Sequence, residues 1–378
     1  MPMTELTNED SFRLNVLLAN KPQAIRIDES RMLVYGLTEQ GEAKVPLNPT
    51  ARPEPYIRAV KELISGHIMG SPGGYPLYLR RWSRMGQMRD ESLEQLLMLG
   101  EPEAVVAAVC SPGLTDELAR RAWWAMEDAE NARRMLRNPT IVQGSMGKVL
   151  AHFLVEFLPF ETETERVTES VRLVLQTGLL GEERVLELWK KSGRRQAHLV
   201  GFLQARPDGL PEQARARADL SLIREGLGGL IDDGNECAIL LERLLSIPGQ
   251  AYLKTTASVL AKPPTQDVVQ ATFETVRGYF GCLRPDGDPD LPIEDLMADA
   301  RAFGDPAHAP EMVRACLDVM PDLGGDLIAA RVLSGLGYGV LRPVLRDTTA
   351  IGSLMRSKLK PMMDQVLGQI EILRGKGR

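Results

Sequence analysis

The spacing of apolar residues divides this chain into a short N-terminal part with mixed patterns and a long helical remainder. In TNEDSFRLNVLLAN, residues 7–20, leucines recur at helical spacing, and Thr7 precedes two carboxylates, which predicts a capped first helix that stops before Lys21-Pro22. In QAIRIDES, Ile25 and Ile27 alternate with polar residues, and RMLVYGL and EAKVPL follow after turns. These segments predict a two- or three-stranded meander.

From Pro55 onward the pattern changes to helices of about 10 to 15 residues separated by Gly/Pro turns. The clearest predicted helices are YIRAVKELI, SLEQLLML, AVVAAV, ELARRAWWAM, GKVLAHFLVEFL, RVTESVRLVL, ERVLELWK and RQAHLVGFL. Short helices joined by short turns stack as hairpins, as in irregular HEAT-like solenoids, although no fixed repeat period is visible. The sequence therefore predicts a mainly α protein, an irregular helical-hairpin (HEAT-like) array with a small N-terminal α+β unit.

Proline and glycine clusters suggest where the chain divides. LNPTARPEP, residues 47–55, marks the end of the N-terminal unit, and GFLQARPDGLPEQARARADL, residues 201–220, combines a break with a strongly charged segment predicted as a helix. We therefore expect an α+β unit over residues 1–50, a helical domain over 51–210 and a second helical domain over 211–378.

The amino-acid composition is consistent with this predicted fold. Apolar residues make up 44% of the 378-residue chain and charged residues 25%, which is ordinary for a folded globular protein. The acidic start and the lack of an apolar run of roughly 18 to 20 residues predict neither a signal peptide nor a membrane span, so a cytoplasmic location is expected. The net charge of -6 argues against general binding to nucleic acid, while leaving room for a local basic site.

Two short motifs resemble ligand-binding loops, but each lacks residues that the corresponding loop requires. QGSMGKV, residues 143–149, lacks the first glycine and the hydroxyl residue of a phosphate-binding loop, because Val142 and Val149 stand there. DGDPDLPIEDL has aspartates on alternate residues, but Leu291 and Met297 replace the glycine and glutamate of a calcium loop. We interpret the first as a helix start with closely packed glycines and the second as a solvated loop that caps the next helix.

The histidines and cysteines show no ligand spacing, so the sequence indicates no metal and no cofactor. His152 and His198 lie within helical patterns and are interpreted as satisfied or partly exposed side chains. Cys237 and Cys316 fit buried helical positions, and Cys110 is a poor nucleophile because it follows a helix end. No catalytic constellation is evident, which favours a non-enzymatic role.

One tract differs from the rest of the chain in its charge and aromatic content. Residues 63–89, LISGHIMGSPGGYPLYLRRWSRMGQMR, contain four arginines, two tyrosines and a tryptophan and no carboxylate. Glycines before a helix start can expose amides to an anion, guanidiniums bind phosphate or carboxylate, and aromatic rings can stack on a base. The residues predicted for an anion or partner site are His67, Gly70, Gly73, Gly74, Tyr78, Arg80, Arg81, Trp82 and Arg84.

The alternative is a Gly/Pro turn leading into a helix whose arginines pair with acidic segments of the same chain, such as DESLEQ. Clustering in sequence does not show exposure, so both interpretations stay open at this point.

Four segments together resemble the DsrS family, soluble proteins encoded with the dissimilatory sulfite reductase genes of sulfur-oxidising bacteria. They are NEDSFRLNVLLANKPQAIRIDES, SGHIMGSPGGYPLYLRRWSRMGQ, DESLEQLLMLGEPEAVV and GLTDELARRAWWAM. The resemblance is strongest over residues 8–160, and the family has no established catalytic motif. It implies a cytoplasmic accessory or regulatory role in the oxidation of stored sulfur. We expect such a role to be exerted by a binding module that contacts a protein of that machinery, with RNA as a further candidate.

Two other functions stay open on the sequence alone. A cysteine can carry sulfane sulfur as a persulfide, although no environment that stabilises a thiolate is evident around the four cysteines. The chain can also serve as a structural helical scaffold. The sequence predicts no oligomeric state.

Overall fold

The structure is a computed structural model that describes residues 6–50, 52–76, 90–193, 195–346 and 352–376. Their contacts form two compact units: Met1–Pro159 with Gln176–Leu180, and Phe160–Leu175 with Gly181–Arg378. The expected boundary near residue 210 falls inside the second unit. The mainly α fold with a small N-terminal β-containing part is confirmed.

The first unit begins with the predicted helix and meander. Its elements are α1 Asn8–Ala19, β1 Ala24–Asp28, β2 Leu33–Thr38, β3 Gly41–Pro46, α2 Pro53–Met69, α3 Asp90–Leu97, α4 Pro102–Val109, α5 Asp116–Ala125, α6 Ala129–Leu136, α7 Pro139–Gln143 and α8 Ser145–Phe157.

The N-terminal elements form as their sequence patterns predict. The hydroxyl of Thr7 accepts a hydrogen bond from the Asp10 amide at 3.1 Å and so caps α1. The three strands pair in the order β1-β2-β3, all antiparallel, with Ile25 opposite Gly36 and Gly36 opposite Ala43.

A buried carboxylate joins the meander to the following helix. Asp10 is completely buried and accepts hydrogen bonds from the Tyr56 hydroxyl at 2.5 Å and from the Asn48 amide at 2.7 Å. Buried residues of α1, the sheet and α2 belong to one apolar cluster, so α2, which lies beyond the expected boundary at residue 50, contributes to the same core as the meander.

The second unit is built from helices. They are α9 Thr164–Val174, α10 Glu182–Ser192, α11 Gln196–Ala205, α12 Leu220–Asp232, α13 Glu236–Leu245, α14 Ile247–Ala261, α15 Gln266–Tyr279, α16 Ile293–Phe303, α17 Glu311–Val319, α18 Gly324–Ser334, α19 Tyr338–Leu345 and α20 Gly352–Leu373. Its largest apolar cluster includes the fully buried Leu227, Leu244, Phe273, Leu333 and Ile370. The arrangement of these helices as a HEAT-like array stays a prediction.

The charged segment before α12 is not the predicted helix. Residues 206–219 have no helical structure, and α12 begins only at Leu220. The Arg217 amide donates to Leu245 O at 2.9 Å, and its guanidinium bonds to Asp219 at 2.7 Å and to Asp326 at 2.6 Å. Leu245 and Asp326 come from other parts of the fold, and their hydrogen bonds to Arg217 replace those that a local helix would form.

The interpretation of QGSMGKV as a tightly packed helix start is confirmed. Gly147 is buried in the first turn of α8, where an added Cβ would lie 2.6 Å from Val142 O and 2.7 Å from Ile141 O. Because backbone atoms cannot move aside cheaply, we expect Gly147→Ala to destabilise the protein by about 1–3 kcal/mol. Urea denaturation of the variant and the parent protein measures the difference.

Gly229→Ala is the matched control, since Gly229 lies within α12 and an added Cβ meets nothing within 4 Å. It is expected to stabilise the protein by about 0.5–1 kcal/mol, because alanine favours a helix interior. If Gly147→Ala raises the denaturation midpoint as Gly229→Ala does, the packing at Gly147 is not the constraint described above.

Candidate functional site

The described part of the predicted site is a glycine turn at the end of α2, residues 70–75. Gly70 ends the helix in the left-handed conformation with φ of 70°, and Gly73 and Gly74 also have positive φ, at 131° and 56°. His67 is exposed in the last turn of α2. The turn therefore requires glycine for its conformation.

Two side chains of the same chain hold this glycine turn. The Gly74 amide donates to the hydroxyl of the buried Ser65 at 2.7 Å, and the Tyr75 amide donates to Glu101 Oε1 at 3.1 Å. Burial raises the pKa of Glu101, and the bond from Tyr75 counteracts part of that rise. The amides of Gly74 and Tyr75, which could otherwise bind an external anion, thus have internal acceptors, one of them a carboxylate.

The arginine-rich part of the predicted site lies outside the described residues. It comprises Tyr78, Arg80, Arg81, Trp82 and Arg84. The structure therefore brings together His67, Gly70, Gly73 and Gly74, and the role of the arginines stays a prediction.

The aspartate loop pairs with arginines of its own chain. Arg277 bonds to Asp288, and Arg342 bonds to Asp290. The expected capping of the next helix is wrong, because α16 begins after Pro292 without a side-chain cap. Within the described ranges, no group of three or more histidine, cysteine, aspartate or glutamate side chains could hold a metal ion.

Three cysteines that are distant in sequence lie in the second unit. Cys237 and Cys316 are completely buried, which confirms the core interpretation, and Cys282 is half-buried. The Cys316 thiol lies 3.8 Å from Oδ1 of Asn235, the N-cap of α13. The neighbouring Cys316 thiol and burial raise the pKa of Cys237 far above its ordinary value, so a thiolate is not favoured at Cys237, whereas the contact with Cys237 lowers the pKa of Cys316.

His198 is a satisfied buried histidine, as expected for a histidine on a helix. Its ring is 3% exposed, and Nδ1 lies 3.2 Å from the hydroxyl of Ser192. That hydroxyl donates to Leu188 O at 2.6 Å, so the histidine is the donor in the pair. Burial, with a smaller contribution from Arg195, lowers the pKa of His198 to about 4.

One cleft of the second unit contains an arginine that is already neutralised. Its volume is about 420 Å³, and Arg243 lies 4.0 Å from the ring centroid of Tyr279. Both sides of the Arg243 guanidinium fork bond to Asp208, at 2.7 and 2.6 Å. Because the charge is internally paired, this cleft offers little attraction to an outside ion.

A larger cleft, about 640 Å³, has more cations than carboxylates among its described lining residues. We call it the cationic cleft, and the side chains that define it are Glu212, Arg215, Gln250, Lys254 and Arg374. Lys254 bonds to Glu212 at 2.8 Å, whereas Arg215 and Arg374 have no acidic partner among the described residues. Three cations therefore face one carboxylate.

The base of the cationic cleft is rigid. Gln250 is 6% exposed, and its amide nitrogen donates to Leu244 O at 2.9 Å and to Leu373 O at 3.1 Å. The same Leu373 carbonyl also accepts from Arg217 at 3.4 Å. The last turn of α20 is thus fixed to α14, which places Arg374 at the edge of the cleft.

Sequence reasoning missed this cleft because its cations come from three separate segments. Arg215 belongs to the segment before α12, Lys254 to α14 and Arg374 to the residues after α20. The only local signals were the arginines of QARARAD and the basic end RGKGR, which sequence alone does not place side by side.

In the described part of the chain, no single helix combines the length and apolarity that crossing a membrane requires; Pro321–Ser334 and Tyr338–Leu345 meet that test only as a pair, bent by 69°. Comparison of the chain with known proteins found no matching family model, no matching curated protein and no matching solved structure.

Proposed function

We propose that this chain is a cytoplasmic accessory or regulatory binding protein of sulfur oxidation by the dissimilatory sulfite reductase system. It acts through contact with a protein of that system, and the arginine-rich tract over residues 76–89 supplies the contact. The setting comes from the resemblance of four sequence segments to the DsrS family. The binding role rests on the glycine turn and on the chemistry of the residues that follow it.

The observation that carries the binding role is the double fixation of the glycine turn. Ser65 belongs to α2, and Glu101 is the residue before α4, so two helices hold the start of the tract through Gly74 and Tyr75. A fixed starting point reduces the conformational entropy that the following arginines lose when a partner binds. The tract also contains aromatic residues and arginine, which are enriched at protein interfaces.

The test is co-purification from sulfur-oxidising cells that are consuming stored sulfur. The affinity-tagged parent chain is expected to retain a component of the sulfite reductase system. A variant with Arg80→Gln, Arg81→Gln and Arg84→Gln is expected to retain roughly tenfold less, because interfacial guanidiniums contribute more than about 1 kcal/mol each when they are hot spots. Mass spectrometry of the eluate quantifies the retained component, and nuclease treatment of a parallel sample shows whether RNA mediates the contact.

The matched control carries Arg166→Gln, Arg172→Gln and Arg184→Gln, which remove the same charge from exposed positions whose side chains are 44 to 48% exposed. It is expected to behave like the parent chain. Equal loss in the two triple variants, or no enrichment of any component of the system by the parent chain, contradicts the proposal.

A further inference from the structure

The cationic cleft combines a concave shape with an excess of positive charge. Its volume of about 640 Å³ lies within the range of small-molecule sites, and its defining side chains include three cations and one carboxylate. Ile247 and Gln250 also place the first turn of α14 at the cleft, and a helix N-terminus carries partial positive charge. Charge and shape therefore favour the same kind of ligand.

From this arrangement we infer that the cationic cleft is a binding site for a compact, multiply charged oxyanion, a phosphate ester or pyrophosphate. Arg215 and Arg374 supply guanidiniums that have no acidic partner among the residues that the structure describes, and such groups bind oxyanions through paired hydrogen bonds. Lys254 adds a point charge from a third segment of the chain. This site is independent of the arginine-rich tract and of the partner proposed above.

The geometry favours a compact anion over an extended acidic peptide. The three cations converge on one cleft from three segments, whereas a peptide needs a track of cations along its length. The residues that line the cleft include no aromatic side chain among those described, so a ring has no stacking surface there. The cationic cleft would therefore recognise its ligand by charge and hydrogen bonding.

The cleft keeps its shape without a ligand, because its base is bonded to the core. Gln250 and Arg217 both hold Leu373 O, and Arg217 is in turn bonded to Asp219 and Asp326. These bonds fix the backbone at the end of α20, from which Arg374 extends, before a ligand binds.

Isothermal titration of the full-length chain with inorganic pyrophosphate, at constant ionic strength, tests the inference. We expect saturable binding at one site and a loss of affinity of at least about tenfold for Arg215→Gln and for Arg374→Gln, because a hydrogen bond to a charged group contributes that much or more. Neither arginine side chain takes part in a hydrogen bond or ion pair of the described fold, so both variants should fold normally.

A further variant is expected to change the pyrophosphate affinity in the opposite direction. Glu212→Gln removes the carboxylate that lines the cleft among the described residues and is expected to tighten pyrophosphate binding several-fold. The controls are Arg301→Gln and Glu225→Gln, exposed residues on α16 and α12 that make the same charge changes outside the cleft. Both should leave the affinity unchanged.

Three outcomes overturn the inference. The first is the absence of saturable pyrophosphate binding. The second is an equal effect of Arg215→Gln and Arg301→Gln on pyrophosphate affinity. The binding would then be explained by the net charge of the protein and not by the cleft. The third is tight binding of an oligoglutamate peptide with no binding of pyrophosphate, which would make the cleft a peptide site.

Discussion

Replacing Arg217 with methionine is expected to destabilise the protein by about 3–5 kcal/mol. The change leaves Asp326, which is completely buried, without the guanidinium that binds both of its oxygens at 2.6 and 2.9 Å. It also removes a donor to Leu373 O at the end of α20. Chemical denaturation followed by far-UV circular dichroism measures the loss, and the melting temperature should fall by on the order of 10 °C.

Two further variants separate this buried network from an ordinary ion pair. Arg224→Met breaks an exposed pair with Glu242 and should cost at most about 1 kcal/mol. Adding Asp326→Leu to Arg217→Met should restore much of the lost stability, because the second change removes the buried carboxylate that Arg217 bound. A loss for Arg217→Met no larger than that for Arg224→Met would show that the buried network contributes little.

Acidification from pH 7 to pH 5 is expected to cost about 2 kcal/mol of stability through His198 alone, rising to about 3 kcal/mol near pH 4. Burial lowers the pKa of this ring from 6.5 to about 4. Between these two values the unfolded chain binds a proton that the folded chain does not, so lower pH favours unfolding. The contribution is fully present above pH 6.5 and is lost as the pH falls.

The measurement is the free energy of unfolding of the parent chain and of His198→Gln at pH 7 and pH 5. The variant starts less stable because it loses the bond to Ser192, but its pH dependence over this interval should be smaller by about 2 kcal/mol. His308→Gln is the control, since that side chain is 73% exposed. An unchanged pH dependence in His198→Gln would exclude the buried ring as its cause.

Between pH 5 and pH 7, carboxylates with lowered pKa values stay ionised. They therefore add nothing to the pH dependence of stability that is assigned to His198. Hydrogen bonds from Arg120, with a smaller contribution from Arg121, lower the pKa of Glu117 to about 2 against a weaker effect of burial. Its stabilising contribution is present above its unfolded pKa near 4.5 and is lost only as the pH falls toward 2.

Local patterns predicted most of the elements correctly. Thr7 caps α1, the alternating residues around Ile25 form the first strand of the meander, and all eight predicted helices are present. Each of these signals acts within a few residues: a cap bonds to an amide three positions away, and periodicity places apolar side chains on one face. The failure of the phosphate-loop motif around Gly147 was also readable from local sequence.

The candidate sites were predicted less well. The glycine turn is where the sequence placed it, but only the fold shows that Glu101, 26 residues beyond Tyr75, accepts one of its amides. The cationic cleft was missed because Arg215, Lys254 and Arg374 are brought together by α14 and the end of α20. No spacing rule connects residues that far apart.

The sequence by itself determined the helical class, the N-terminal meander and the cap that Thr7 gives to α1, because these depend on interactions between near neighbours. The tertiary structure alone decided that residues 206–219 are not helical, since the acceptors and donors that hold Arg217 lie up to 156 residues away. It also decided which arginines have a carboxylate partner and which do not. Pairing of charges depends on distances in space, and the order of residues along the chain does not specify those distances.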